Sequence, residues 1–359
     1  MAQQSNKSFA IPLAFVGLMF FTLGFALGIN SFLIPVLKES LNLSSGVAYL
    51  LLAATFIPFI IFGYPASRTI AAIGYKRTMA ISFVIFALAF VVFVLSAKNE
   101  SFVQFLAASF LSGTANAYLQ ASVNPYITIL GPINSAARRI SMMGICNKLA
   151  WPVAPLFFAA VVPDSTNVQI ADLYLPFYII IGVFVLLSII SLMAPLPEVK
   201  ATGEDESSAD DCPYAASKTS IWQFPHLLLG VFALFVYVGV ETLALSTAID
   251  YATAVGLPSP DRYAWIPSIG MVVGYICGIV LIPKYLSQDG AMRICASLGV
   301  VGSLLIVLLP AQISIWSIFL MALGCSLLWP SLWPLAMADL GRFTKSGSAL
   351  LTMAIAGGA

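Results

Sequence analysis

The stretch Asn116–Lys148, NAYLQASVNPYITILGPINSAARRISMMGICNK, holds two apolar segments joined by a short basic turn. Asn116, Gln120, Asn124 and Thr128 recur every fourth residue, so at helical spacing all four share one face. A lipid environment leaves amide side chains without partners, and such a face belongs against other helices or a water-filled cavity. Beyond the turn, Lys148 follows Arg139 by nine residues, which at a rise of roughly 1.5 Å per residue carries a cation about 13 Å into the next span. The pattern predicts a polar pathway through a membrane.

Composition agrees. Of 359 residues 60% are hydrophobic and 9% charged, and the mean hydropathy is +0.98, values that exclude a soluble domain, whose surface needs charge. A net charge of +1 gives no bulk attraction to nucleic acid. Cys146, Cys212, Cys277, Cys295 and Cys325 show no paired spacing, so they read as small core residues and no metal site is expected. No cofactor is expected either, because GxGxxG and GxxxxGK[ST] phosphate loops are absent. The first apolar run is too long for a signal-peptide core, contains Gly24 and Gly28, and reads as a retained span.

Windows of about 19 residues predict an all-α chain with spans near 12–37, 47–67, 78–97, 102–130, 140–163, 173–195, 226–250, 263–285, 291–310 and 312–338. An eleventh begins near Ser346, and the chain stops at Ala359, short of a full crossing. With the N-terminus in the cytoplasm, twelve of the Lys and Arg residues fall inside; Lys38, Lys98 and Arg262 fall outside, and Lys148 lies within the membrane. That asymmetry predicts a cytoplasmic N-terminus and inside even-numbered loops. The acidic stretch 197–223 reads as a flexible cytoplasmic linker. It separates a six-span bundle, 1–196, from a second bundle, 224–359. The halves echo one another: NPYITILGPINSAARR and WPLAMADLGRFTKSG each carry a Pro, a downstream Gly and basic residues after corresponding spans. Parallel repeats of this kind place a substrate site at the midplane between them.

Glu241, well inside the seventh span, joins Lys148 as an intramembrane ionisable group and hence a candidate for substrate binding or coupling. Its bland alternative is a structural ion pair, as that of Lys148 is a snorkelling side chain. Trp329, Trp333, Trp151 and Tyr126 offer flat faces suited to the CH-rich side of a pyranose. His226 at the start of the seventh span is given no catalytic role.

Five strings together resemble one family. GFALGINSFLIPVL, YLQASVNPYITILGP, RRISMMGICNK, FALFVYVGVETL and LLWPSLWPLAMADLGRFTKSGSALL are similar to the fucose–galactose–proton symporter branch of the major facilitator superfamily, which also holds sodium-coupled glucose and galactose carriers. The resemblance covers nearly the whole chain. It implies a major facilitator fold of two pseudo-symmetric helical bundles, with the rest of the eleventh span and the twelfth missing from this chain. It also implies a neutral monosaccharide as substrate, a multi-pass location in a bacterial inner membrane, a lipid bilayer and a coupling cation, proton or sodium, as partners, and a monomer. Asn30, Gln120, Asn124, Asn147 and Trp329, with Glu241, are the expected sugar ligands; Lys148 and Glu241 are the expected coupling groups. Departures from the family bear on coupling: Ser31 and Gln120 stand where the proton-coupled fucose carriers have an Asp and a Glu, and neither can titrate, while Lys148 stands at a position that resembles a small polar site elsewhere in the family. A sugar sensor that binds without flux, or a carrier for another small polar solute, are the alternatives. A membrane enzyme is disfavoured because only Glu241 and Lys148 lie at depth.

Overall fold

The computed structural model describes residues 10–130, 132–162, 168–194, 196, 212–258, 263 and 265–358, and among them the regular structure is helical throughout. Helix α1 is Ala10–Ser40. The helical stretch Leu50–Lys98 divides at Gly74, whose φ of 82° suits a residue without a Cβ, into α2 (50–73) and α3 (75–98). Then follow α4 (Phe102–Ile129), α5 (Ala136–Val161), α6 (Tyr174–Met193), α7 (Pro225–Ser246), α8 (Trp265–Leu281) and α9 (Gln288–Leu308). The chain continues with α10 (Ala311–Ser326), α11 (Leu328–Met337) and α12 (Thr344–Ala354).

Three boundaries differ from the hydropathy reading. The basic segment between the second and third spans is helical up to Gly74 rather than a ten-residue turn. The tenth span is two helices meeting at Leu327, because Pro330 has no N–H to offer the carbonyl of Ser326. The seventh breaks at Thr247 into the short helix Ala248–Ala254.

Among the described residues seven helical stretches are long and apolar enough to cross a membrane, and the longest, Ser45–Lys98, contains α2 and α3. Helix α8 is too short for that count, and α4 falls outside it although it has 28 residues. The reason is where α4 sits. From Ser112 to Thr128 every residue except Tyr118 is buried, so protein rather than lipid surrounds its polar stripe. Elsewhere the outward faces are apolar: Leu88, Val91 and Leu95 on α3 and Val300, Val301 and Val307 on α9 are exposed, a distribution that suits hydrocarbon and not water.

Aromatic rings hold the first six helices together. Phe86 stacks on Phe184 of α6 with centroids 4.7 Å apart, and Phe93 packs between Phe105 of α4 and Phe177 of α6. Helix α4 is tied in by backbone repairs. Pro125 withdraws the donor that the carbonyl of Ala121 would otherwise receive, and the hydroxyl of Ser348 on α12 donates to that oxygen at 3.5 Å. Arg139, from the basic turn, donates to the carbonyls of Ile127, Thr128 and Pro132 and so closes the C-terminal end of α4.

The first six helices meet the later ones along two seams. On one, α2 runs beside α12 and Ser67 Oγ donates to the Lys345 carbonyl at 2.8 Å. On the other, α5 runs beside α8 and the Ala137 N–H donates to Gln288 Oε1 at 3.0 Å. Both bonds lie on the side that bears the α2–α3 and α8–α9 turns. On the opposite side, between the C-terminal ends of α1, α5 and α7 and the start of α8, a larger cavity open to the outside separates the helices.

The expected flexible linker lies outside the described residues up to 211. Its final part is packed, contrary to the flexible reading of 197–223: Cys212 and Ala215 are buried, Arg342 donates to the Lys218 carbonyl at 2.7 Å, and Tyr214 meets Phe224 edge-on. His226 beside it bonds through Nε2 to the Ala338 carbonyl at 2.9 Å.

Candidate functional site

A partly open cavity lies between α1, α2, α4 and α5 on one side and α7, α8 and α11 on the other. Its polar wall comes from Gln120, Asn147, Lys148, Glu241 and Thr242, and its aromatic wall from Trp151, Tyr275 and Trp329.

Lys148 and Glu241 form the electrostatic centre. Lys148 Nζ and Glu241 Oε1 are 2.9 Å apart, with side-chain exposures of 8% and 10%, so each charge is satisfied by the other across the space between α5 and α7. The ammonium also lies 5.9 Å from the ring centroid of Trp151, close enough for the ring's negative face to help hold it. Removing either partner strands the other in a poorly solvated site, whereas the pair together is neutral.

The amides divide sharply by depth. Gln120 Oε1 accepts from Asn124 Nδ2 at 3.2 Å, and its Nε2 has no partner among the described residues, which leaves two donors facing the cavity. Asn147 Nδ2 donates to the Phe20 carbonyl at 3.1 Å, pinning α5 to α1 and leaving its side-chain oxygen as an acceptor. Asn124 is sealed in the protein and touches the cavity only through Gln120. Asn30 lies apart from the other predicted ligands: it donates to the Ala26 carbonyl and accepts from Ser109 Oγ at 2.9 Å, a joint between α1 and α4. Trp329 lines the cavity and stacks on the buried Trp333 at 5.4 Å, which fixes its plane.

Tyr275 and Thr242 went unseen in sequence. A lone tyrosine in the apolar helix Trp265–Leu281 reads as packing, and its one signal is the preceding glycine, Gly274, which lets α8 approach Ser326. Trp151 and Leu245 line both this cavity and the larger open one, so these two side chains form the partition between them. The arrangement is a small, neutral, amide-rich and aromatic-walled chamber at the interface of two helix groups, with one side open and one side closed.

The family model described as Major Facilitator Superfamily matches residues 16–359. The chain is 30% identical over 368 residues to the glucose/galactose transporter of Brucella abortus, covering 99% of this chain and 87% of that one. It is 22% identical over 376 residues to the L-fucose-proton symporter of Escherichia coli K12, covering 98% and 85%. Among solved structures, the transporter FucP in its outward conformation superposes with a TM-score of 0.82 at 22% identity, covering 98% of this chain and 90% of that one.

Proposed function

The chain belongs to the Major Facilitator Superfamily, and on that premise we propose that it carries a neutral monosaccharide across a bacterial inner membrane by alternating access. The observation that carries the substrate class is the cavity itself. Its fixed charges cancel at 2.9 Å, its free polar atoms are amide and hydroxyl groups, and Trp151 and Trp329 supply flat apolar walls. Such a lining favours a polyol with one CH-rich face over any ion. The glucose/galactose transporter among its relatives supports the same reading.

Gln120, Asn147 and Trp329 would contact the sugar, with Glu241 accepting from its hydroxyls; Asn124 would orient Gln120, and Asn30 would serve the α1–α4 joint. The two helix groups, 1–196 and 224–359, would rock about the cavity as a monomer, breaking the Ser67–Lys345 and Ala137–Gln288 bonds as the closed side opens. Replacing a buried amide that bonds substrate hydroxyls costs roughly 1–3 kcal/mol, or about 5- to 150-fold in affinity. Gln120→Ala is therefore expected to weaken hexose binding by that factor, Asn124→Ala by less, and Asn30→Ala to act through stability alone. Binding of labelled D-glucose, D-galactose and L-fucose to purified variants checks the order, and Gln120→Ala within twofold of the parent for every sugar would remove it from the site.

The basic turns support a cytoplasmic N-terminus, which puts the closed side inside and the open cavity outside. A membrane-impermeant thiol reagent added to intact cells is expected to label a cysteine placed at Asn99 and to spare one placed at Asn134 or Ser217, all three being exposed positions. The reverse pattern would invert the topology.

A further inference from the structure

We infer that Lys148 is a built-in counter-cation for Glu241, so that the carrier moves its sugar without taking up a proton or a sodium ion. The inference rests on the reading of the cavity as a sugar site and deepens it.

A carboxylate in a membrane-embedded cavity is tolerated when something positive neutralises it: a proton, a bound metal ion or a fixed side chain. Here the third solution is in place, because Nζ of Lys148 and Oε1 of Glu241 are 2.9 Å apart and both side chains are about nine-tenths buried. The pair also joins the two helix groups that must move relative to one another, one partner on α5 and the other on α7. Among the described residues, the remaining titratable groups facing Glu241 are Tyr237 on its own helix, Tyr275 from α8 and Cys325 from α10. Phenols and a thiol carry no charge near neutral pH, so none of them competes with Lys148. Gln120 and Asn147, the amides beside the pair, do not titrate.

Two consequences follow for any added cation. A proton placed on Glu241 would leave the ammonium buried without a partner, the same penalty with the sign reversed. A sodium ion at the carboxylate would sit about 4 Å from the ammonium, where repulsion at an effective dielectric of 20 weakens its binding roughly a thousandfold. The empty site is neutral as it stands. An empty carrier of this kind needs no external ion to return, and net sugar flux then follows the sugar gradient alone.

Purified protein in proteoliposomes, with labelled D-glucose, D-galactose and L-fucose as probes, tests this. Counterflow with at least one hexose comes first; its absence with all three would sink the sugar reading and this inference with it. With counterflow established, uptake by the parent is expected to be unchanged between sodium and potassium media and across pH 5.5 to 8.5, and added sugar is expected to leave the external pH steady. Lys148→Met is expected to create a proton requirement: Glu241 must now take a proton from the medium to be buried, so uptake at pH 5.5 exceeds that at pH 8.5 by about tenfold and sugar entry alkalinises the medium. Lys148→Arg keeps the charge and should show the parent's flat profile, and adding Glu241→Gln to Lys148→Met should flatten the ratio again. Sodium stimulation or sugar-linked proton entry in the parent would overturn the inference while leaving the sugar site intact. So would a Lys148→Met protein that transports with a flat pH profile; if that variant fails to insert, the parent's ion dependence decides alone.

Discussion

Glu241→Ala and Lys148→Ala are each expected to destabilise the folded protein by about 3–5 kcal/mol, because each leaves a buried charge without its partner. With side-chain exposures of 8% and 10%, neither group has enough water to solvate it alone. The double variant Lys148→Met, Glu241→Gln removes both charges while keeping comparable volume, and replacement of a buried pair by neutral groups is often near neutral in stability. The expected order of thermal unfolding midpoints in detergent is therefore parent and double variant close together, both single variants well below. That non-additivity is the signature of an interacting unit. Single variants that unfold within a degree or so of the parent would mean that the two charges are solvated separately, and the neutral-cavity argument would lose its footing.

The polar stripe on α4 announced an interior helix correctly, since four polar residues at helical spacing define a face and a face in lipid must find partners. Spacing says nothing of how far the face is from open space. Asn116, Asn124 and Thr128 are sealed, and Gln120 alone of the four lines the cavity. Which group meets the carbonyl freed by Pro125, the hydroxyl of Ser348 from the far end of the chain, is a tertiary fact that spacing does not reach.

The ion pair shows the same division. Lys148 and Glu241 were each conspicuous, as charges inside apolar spans have few bland explanations. Their meeting is a tertiary fact. Counted from the first residues of α5 and α7 at roughly 1.5 Å per residue, they lie about 18 and 24 Å along their helices, and the flexible four-carbon stem of lysine covers the difference. Asn30 shows the converse: resemblance grouped it with the sugar ligands, and in the structure it is hydrogen-bonded to Ser109 in the seam between α1 and α4.

Gly24→Ala is expected to cost about 2–3 kcal/mol, the upper part of the range for overpacking, and to impair sugar binding although residue 24 does not line the cavity. A Cβ at Gly24 would fall on the backbone carbonyl of Asn147. A side chain in the way can rotate; a helical carbonyl cannot leave without its helix. Asn147 Nδ2 already holds α5 to α1 through the Phe20 carbonyl at 3.1 Å, so the added methyl must push apart the two helices at the turn that carries Asn147 and Lys148. A shift of this kind moves one side of the Lys148–Glu241 pair and leaves the other in place, which couples a packing change on α1 to the electrostatics of the cavity. Gly182→Ala is the control: nothing lies within 4 Å of a Cβ there, and in a helix alanine is favoured over glycine by about 1 kcal/mol. Thermal unfolding and hexose binding of the two variants should thus diverge, with Gly182→Ala at or above the parent and Gly24→Ala below it in both. Equal stability of the two would show that α1 and α5 do not meet backbone to backbone at this level, and the placement of Lys148 opposite Glu241 would then need another support.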